Sequence, residues 1–92
     1  MITRIVKMTF RPGERENFLA VFNANKQFIA GFEGCRSLQI LNEKAHPEVF
    51  FTISTWESEK HLDAYRSSAL FETVWGKTKA MFAGKPEAWT LV

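Results

Sequence analysis

Val49 to Thr55 reads VFFTIST and runs directly into Trp56. Read as a strand, it carries Val49, Phe51 and Ile53 on one face and Phe50 and Trp56 on the other, because successive side chains of a strand point to opposite sides. A strand that is apolar on both sides belongs to a sheet covered on both sides. The helices of this chain can supply one cover. A second copy of the same sheet is the economical source of the other.

The flanking segments fit around that strand. Ile2 to Phe10 alternates, with Ile2, Val6, Met8 and Phe10 pointing one way and Thr3, Ile5, Lys7 and Thr9 the other, which predicts a first strand. Arg11-Pro12-Gly13 ends it, since Pro offers no ladder donor and Gly relaxes the turn. A helix is expected from Glu14 to about Ile29, with an apolar stripe of Phe18, Val21, Phe22, Phe28 and Ile29. Gly31 and Gly34 supply its stop and the turn out of it. Cys35 to Leu41 reads as the second strand, and Asn42 to Pro47 as a polar connection of hairpin length.

The stretch Trp56 to Trp75, WESEKHLDAYRSSALFETVW, then changes to helical periodicity. Ser58 is placed to cap a helix whose residues His61, Leu62 and Tyr65 share one face. Ser67 and Ser68 restart a second helix with a stripe of Phe71, Val74, Trp75, Thr78 and Phe82. Gly84-Lys85-Pro86 is a stop signal, and Glu87 to Val92 alternates as a last strand, Trp89 and Leu91 against Ala88 and Thr90. The order β-α-β-β-α-β is the ferredoxin-like arrangement: an α+β fold with a four-stranded antiparallel sheet and its helices on one face.

Ninety-two residues are expected to form one domain, 1–92. Nine Phe, three Trp and one Tyr are many rings for so short a chain. Some must lie at the surface, in a partner interface or around a cavity. Twelve basic against ten acidic side chains give a net charge of +2, and the two signs are interspersed, so a nucleic-acid partner is not expected. The lone Cys35 precludes an internal disulfide and fits a reducing compartment. The alternating N-terminus is not a signal peptide, and no run approaches the roughly 20 apolar residues a membrane span needs. The expected setting is the cytoplasm. Two His fifteen residues apart and a single Cys make no structural metal site, and no phosphate-binding glycine loop is present.

Trp56 at a strand end, Tyr65 nine residues on and Phe71 six further, W-ESEKHLDA-Y-RSSAL-F, resemble the antibiotic biosynthesis monooxygenase superfamily. Members share a strand-end Trp followed by H-x-x-S-x-x-F or close variants, so Tyr65 stands where the family often has His. The resemblance covers nearly the whole chain as architecture, and its motif is short and tolerant. It implies a dimeric α+β barrel, a homodimer whose sheets pack face to face, with a cavity in each protomer between sheet and helices. It also implies a cofactor-independent monooxygenase acting on a small aromatic molecule of phenol, anthrol or quinol type. In such chemistry a side chain removes an acidic proton, and the substrate anion reduces O2 in a pocket that keeps water away. A haem-degrading branch of the superfamily carries Asn, Trp and His where this chain has about Val6, Tyr65 and Trp75. None of the three matches.

Tyr65 and His61 are the catalytic candidates, the first to bond a substrate hydroxyl or relay a proton, the second as a base titrating near neutrality. Each has a plain alternative, a half-buried ring at a boundary for Tyr65 and a surface imidazole among Glu59, Lys60 and Asp63 for His61. Trp56, Phe71 and Trp75 are the candidates for a flat substrate-binding wall, or else for ordinary core. His46, beside Pro47, reads as exposed, and Cys35 as a small buried apolar residue. Two other functions remain on the same scaffold: a non-catalytic ligand-binding homodimer, and a haem-binding or haem-degrading relative with altered ligands.

Overall fold

The N-terminal alternation becomes the strand β1, Ile2–Thr9, in a computed structural model that describes residues 1–92. It is followed by α1 (Arg15–Ala30), β2 (Cys35–Asn42), β3 (Val49–Trp56), α2 (Glu59–Arg66), α3 (Ala69–Lys79) and β4 (Glu87–Leu91). The strands lie in the order β2-β3-β1-β4, every neighbouring pair antiparallel. This is the ferredoxin-like α+β fold read from the sequence.

The register of β1 on β3 decides which side chains share a face. Ile5 pairs with Ile53, Val6 with Thr52, Arg4 with Ser54 and Ile2 with Trp56. On the far sides of these two strands, Trp89 of β4 stands opposite Ile5, and Leu38 of β2 opposite Ser54. Cross-strand partners project to the same side. Arg4, Val6, Met8, Leu38, Phe50, Thr52, Ser54 and Trp56 therefore face the helices. Ile5, Leu41, Phe51, Ile53, Trp89 and Leu91 occupy the opposite, uncovered face, and Leu41, Trp89 and Leu91 are 48%, 42% and 48% exposed.

On the helix side the buried residues form two groups. Met8, Phe10, Phe18, Phe22, Phe50 and Met81 make one, with Phe10 and Phe18 stacked at 4.3 Å between ring centroids. Ile2, Trp56 and Leu62 make the other, with Phe32, Cys35 and Tyr65 packed against it. α1 contributes Phe18, Phe22 and Ile29. Phe28, expected on this stripe, is instead 56% exposed. A helix advances 3.6 residues per turn, so with Phe18, Phe22 and Ile29 on the inner line Phe28 turns off it. Phe82, expected at the end of the α3 stripe, lies beyond that helix and bridges Phe10, while its ring still packs on Trp75.

Two serines set the helix starts after β3. The Ser58 hydroxyl accepts from the backbone N–H of His61, and the Ser68 hydroxyl accepts from that of Phe71 at 3.1 Å. The chain stops α2 and begins α3 at this point, so the two helices cross the sheet as separate segments.

Gly34, at the turn into β2, has φ +88°, and its missing Cβ is replaced in space by His61: a methyl there would lie 2.3–2.4 Å from the imidazole Cγ, Cδ2 and the His61 Cβ. Gly13 has a similar φ of +89° with nothing within 4 Å. Gly13→Ala is expected to cost only the backbone strain of about 1 kcal/mol. Gly34→Ala carries the same strain plus a displacement of α2, so it should lower the melting temperature at least twice as much. Equal shifts in thermal unfolding of the two variants would refute the close approach.

Candidate functional site

Between the two buried groups the sheet and helices enclose a cavity of about 290 Å³. Its floor is the inner face of the sheet, with Arg4, Val6, Met8, Leu38, Thr52, Ser54 and Trp56. Phe18, Phe22 and Ile29 of α1 close one side. Leu62, Tyr65 and Arg66 of α2 with Phe71, Val74, Trp75 and Thr78 of α3 close the other. A chain of rings runs along this region: Trp56, Tyr65, Phe71, Trp75 and Phe82 follow one another at centroid separations of 5.0, 5.2, 5.8 and 5.5 Å.

The structure brings together four of the five residues singled out from the sequence. Trp56 is fully buried, its indole N–H donates to the Ser54 hydroxyl at 3.0 Å, and its ring stacks on Tyr65 with an interplanar angle of 25°. That indole is closed off from a ligand by its neighbours, and its donor is already used. Phe71 and Trp75 lie nearly parallel, at 13°, and are half-buried. Tyr65 sits between Trp56 and Phe71, half-buried at the cavity wall.

His61, expected on the face of Tyr65, stands outside the cavity. Its Nδ1 shares a 2.7 Å hydrogen bond with the Ser58 hydroxyl, and its Nε2 lies 3.6 Å from the Glu57 carboxylate, which also pairs with Arg36. The imidazole covers Gly34 and is tied to the helix cap. His61 is not among the side chains that line the cavity. No Asp, Glu or His lines the wall at all.

Tyr65 does not fill that vacancy. Burial first, and then the neighbouring Cys35 sulfur, push its phenol up to about 12, so at neutral pH it is a hydrogen-bond donor and not a base. Two wall residues that sequence reasoning passed over are Arg4 and Arg66. Strand alternation places Arg4 on the same face as Ile2 and Val6, and a cation in an otherwise apolar register was the available signal. Nothing local marks Arg66, which ends α2. Val6, Tyr65 and Trp75 all lie on the wall.

A four-stranded antiparallel sheet with its helices on one face defines a ferredoxin-like α+β protein. The sequence profile of the antibiotic biosynthesis monooxygenase family matches residues 1–75, and the chain belongs to that family. Among solved structures, an antibiotic biosynthesis monooxygenase superposes with a TM-score of 0.94 at 14% identity, over 100% of this chain and 97% of that one. A conserved protein from Methanosarcina mazei Go1 gives 0.91 at 20% identity, over 98% and 90%. A point mutant of SnoaB, a cofactor-independent oxygenase from Streptomyces nogalater, gives 0.87 at 18%, over 99% and 90%. At these identities the likeness is one of fold. No curated protein matches the sequence.

Tyr65 is the only tyrosine, so the ultraviolet tyrosinate band reports on it alone. In the folded protein it should titrate near pH 12, against about 10 in denaturant. Because the folded state holds this proton more tightly, stability should be untouched at neutral pH and decline as pH rises from about 10 towards 12. A folded-state midpoint near 10 would place the phenol in water.

Proposed function

We propose that this protein is a cofactor-independent monooxygenase for a small aromatic substrate of phenol or quinol type, bound in the cavity between sheet and helices. The carrying observation is the cavity itself: a space of about 290 Å³ walled by Tyr65, Phe71 and Trp75, on a chain of the antibiotic biosynthesis monooxygenase family. Flat rings stack on flat walls, and apolar surroundings exclude the water that would divert a reactive intermediate. That SnoaB is a cofactor-independent oxygenase supports the same reaction class.

In this reading the substrate supplies the electrons. An activated phenol loses its hydroxyl proton, and the anion passes its charge to a ring carbon that bonds to O2. The peroxide anion takes back one proton from solvent, and the hydroperoxide loses water together with the hydrogen of that ring carbon to leave a quinone, so that one O2 yields one quinone oxygen and one water. Tyr65, held protonated, donates a hydrogen bond to the substrate oxyanion. With no basic side chain on the wall, the first proton leaves through the mouth to solvent. That absence also favours a second reading, a ligand-binding protein in which the same cavity retains an aromatic molecule without turnover.

Tyr65→Phe keeps the stacking on Trp56 and removes only the donor. Oxygen uptake with a panel of quinols should fall by about 10- to 100-fold, in line with the loss of one hydrogen bond to a charged group. Unchanged uptake would remove Tyr65 from the mechanism, and no uptake by the unaltered protein with any quinol would leave the ligand-binding reading.

We further propose that the uncovered sheet face pairs with the same face of a second copy, as a homodimer. Ile5, Phe51, Ile53, Trp89 and Leu91 form one continuous apolar surface there, of a kind that monomers rarely leave bare. Light scattering after size exclusion should give twice the chain mass, and Trp89→Glu should shift it to one chain. A monomeric mass for the unaltered protein would sink the dimer.

A further inference from the structure

Of the five arginines, three face a carboxylate: Arg11 with Glu14 at 3.9 Å, Arg15 with Glu16 at 2.9 Å, and Arg36 with Glu57. The two without one, Arg4 and Arg66, both line the cavity. Arg4 donates to the Thr90 hydroxyl at 2.8 Å, which uses one of five guanidinium N–H groups. Arg66 makes no side-chain hydrogen bond or ion pair within the protein. Glu72 lies with Arg66 along an adjoining surface hollow without pairing with it.

The two guanidiniums also feel each other. Burial, and then the positive charge of Arg66, lower the proton affinity of Arg4. Arg4 is half-buried and Arg66 exposed, and no acid lines the cavity wall that they share. The position of Arg66 in the last turn of α2 suits the helix dipole. That accounts for Arg66 alone and leaves unexplained why β1 turns Arg4 into the same apolar space.

We propose that Arg4 and Arg66 form an anion-binding clamp at the cavity and that its ligand is a planar aromatic oxyanion, a carboxylate or an ionised phenol. Guanidinium forks match such oxygens in geometry and charge, while Tyr65, Phe71 and Trp75 receive the ring. The inference rests on the cavity being the ligand site, as the oxygenase reading also does. It deepens that reading by supplying what the wall lacks: two fixed positive charges favour the ionised substrate, so a phenol bound there gives up its proton to water without a neighbouring base.

The test is calorimetric titration of the intact protein, at neutral pH and low salt, with 1-naphthoate and with 1-naphthamide, which share a ring and nearly a shape but differ in charge. The acid should bind at least about ten-fold tighter than the amide, and added salt should narrow the difference. Arg4→Gln and Arg66→Gln should each reduce acid affinity by about ten-fold, with a smaller change for the amide, and Arg→Lys at either place should retain part of the preference. Equal affinity of the unaltered protein for acid and amide overturns the clamp, whatever the variants do. So does a charge preference that survives in the double Gln variant. If the clamp holds but no quinol consumes oxygen, the oxygenase reading fails and the clamp stands. Oxygen uptake with equal acid and amide binding has the reverse meaning, and failure of both probes to bind overturns the cavity as a ligand site.

Discussion

The antiparallel pairing of β1 with β3 is the constraint on which everything else in this molecule depends. A one-residue slip in that ladder would carry every side chain of a strand to the opposite face. The observed register puts Ile5 with Ile53 on the uncovered side and Arg4 with Ser54, Val6 with Thr52 and Ile2 with Trp56 under the helices. β2 and β4 extend the same choice outward, so Leu38 joins the inner face and Trp89 the outer one. Two apolar surfaces result, one closed by this chain and one left for another.

The inner surface is not packed solid. One group of buried residues gathers around Phe10 and Phe18, another around Trp56 and Leu62, and a cavity lies between them. Tyr65 stacks on Trp56 and meets Phe71 edge-on, and Phe71 stacks on Trp75. Empty apolar volume costs stability. A fold that keeps such a space, with the helices above it started separately by Ser58 and Ser68, has the features of a small-molecule pocket.

Polar groups around that pocket divide into those already satisfied and those free to meet a ligand. The Trp56 indole is occupied by Ser54, and the Thr78 hydroxyl donates to the carbonyl of Val74 at 2.7 Å. Tyr65, Arg4 and Arg66 keep donors to spare, and the Tyr65 hydroxyl can also accept. No carboxylate or imidazole lines the pocket, so the proposed oxygenase chemistry calls for a substrate that ionises readily, as quinols and phenols with activating groups do.

The sequence by itself determined the element order, which residues of β1, β3 and β4 share a face, the helix restart at Ser68, and the grouping of Trp56, Tyr65, Phe71 and Trp75 in one stretch. These follow from short-range periodicity, which reports which side of its own element a residue occupies. Which groups face each other across the molecule was decided only by tertiary packing. His61 shares a helix face with Tyr65 by spacing, yet the close approach of Gly34 and the Ser58 cap hold it outside the cavity. Phe28 is apolar enough for the core and lies one residue off its line. Tyr65 is kept protonated by surroundings assembled from β2, β3 and α2. Arg4 and Arg66 are 62 positions apart, and no local pattern couples residues at that distance. Both line one cavity only once the sheet and helices have come together.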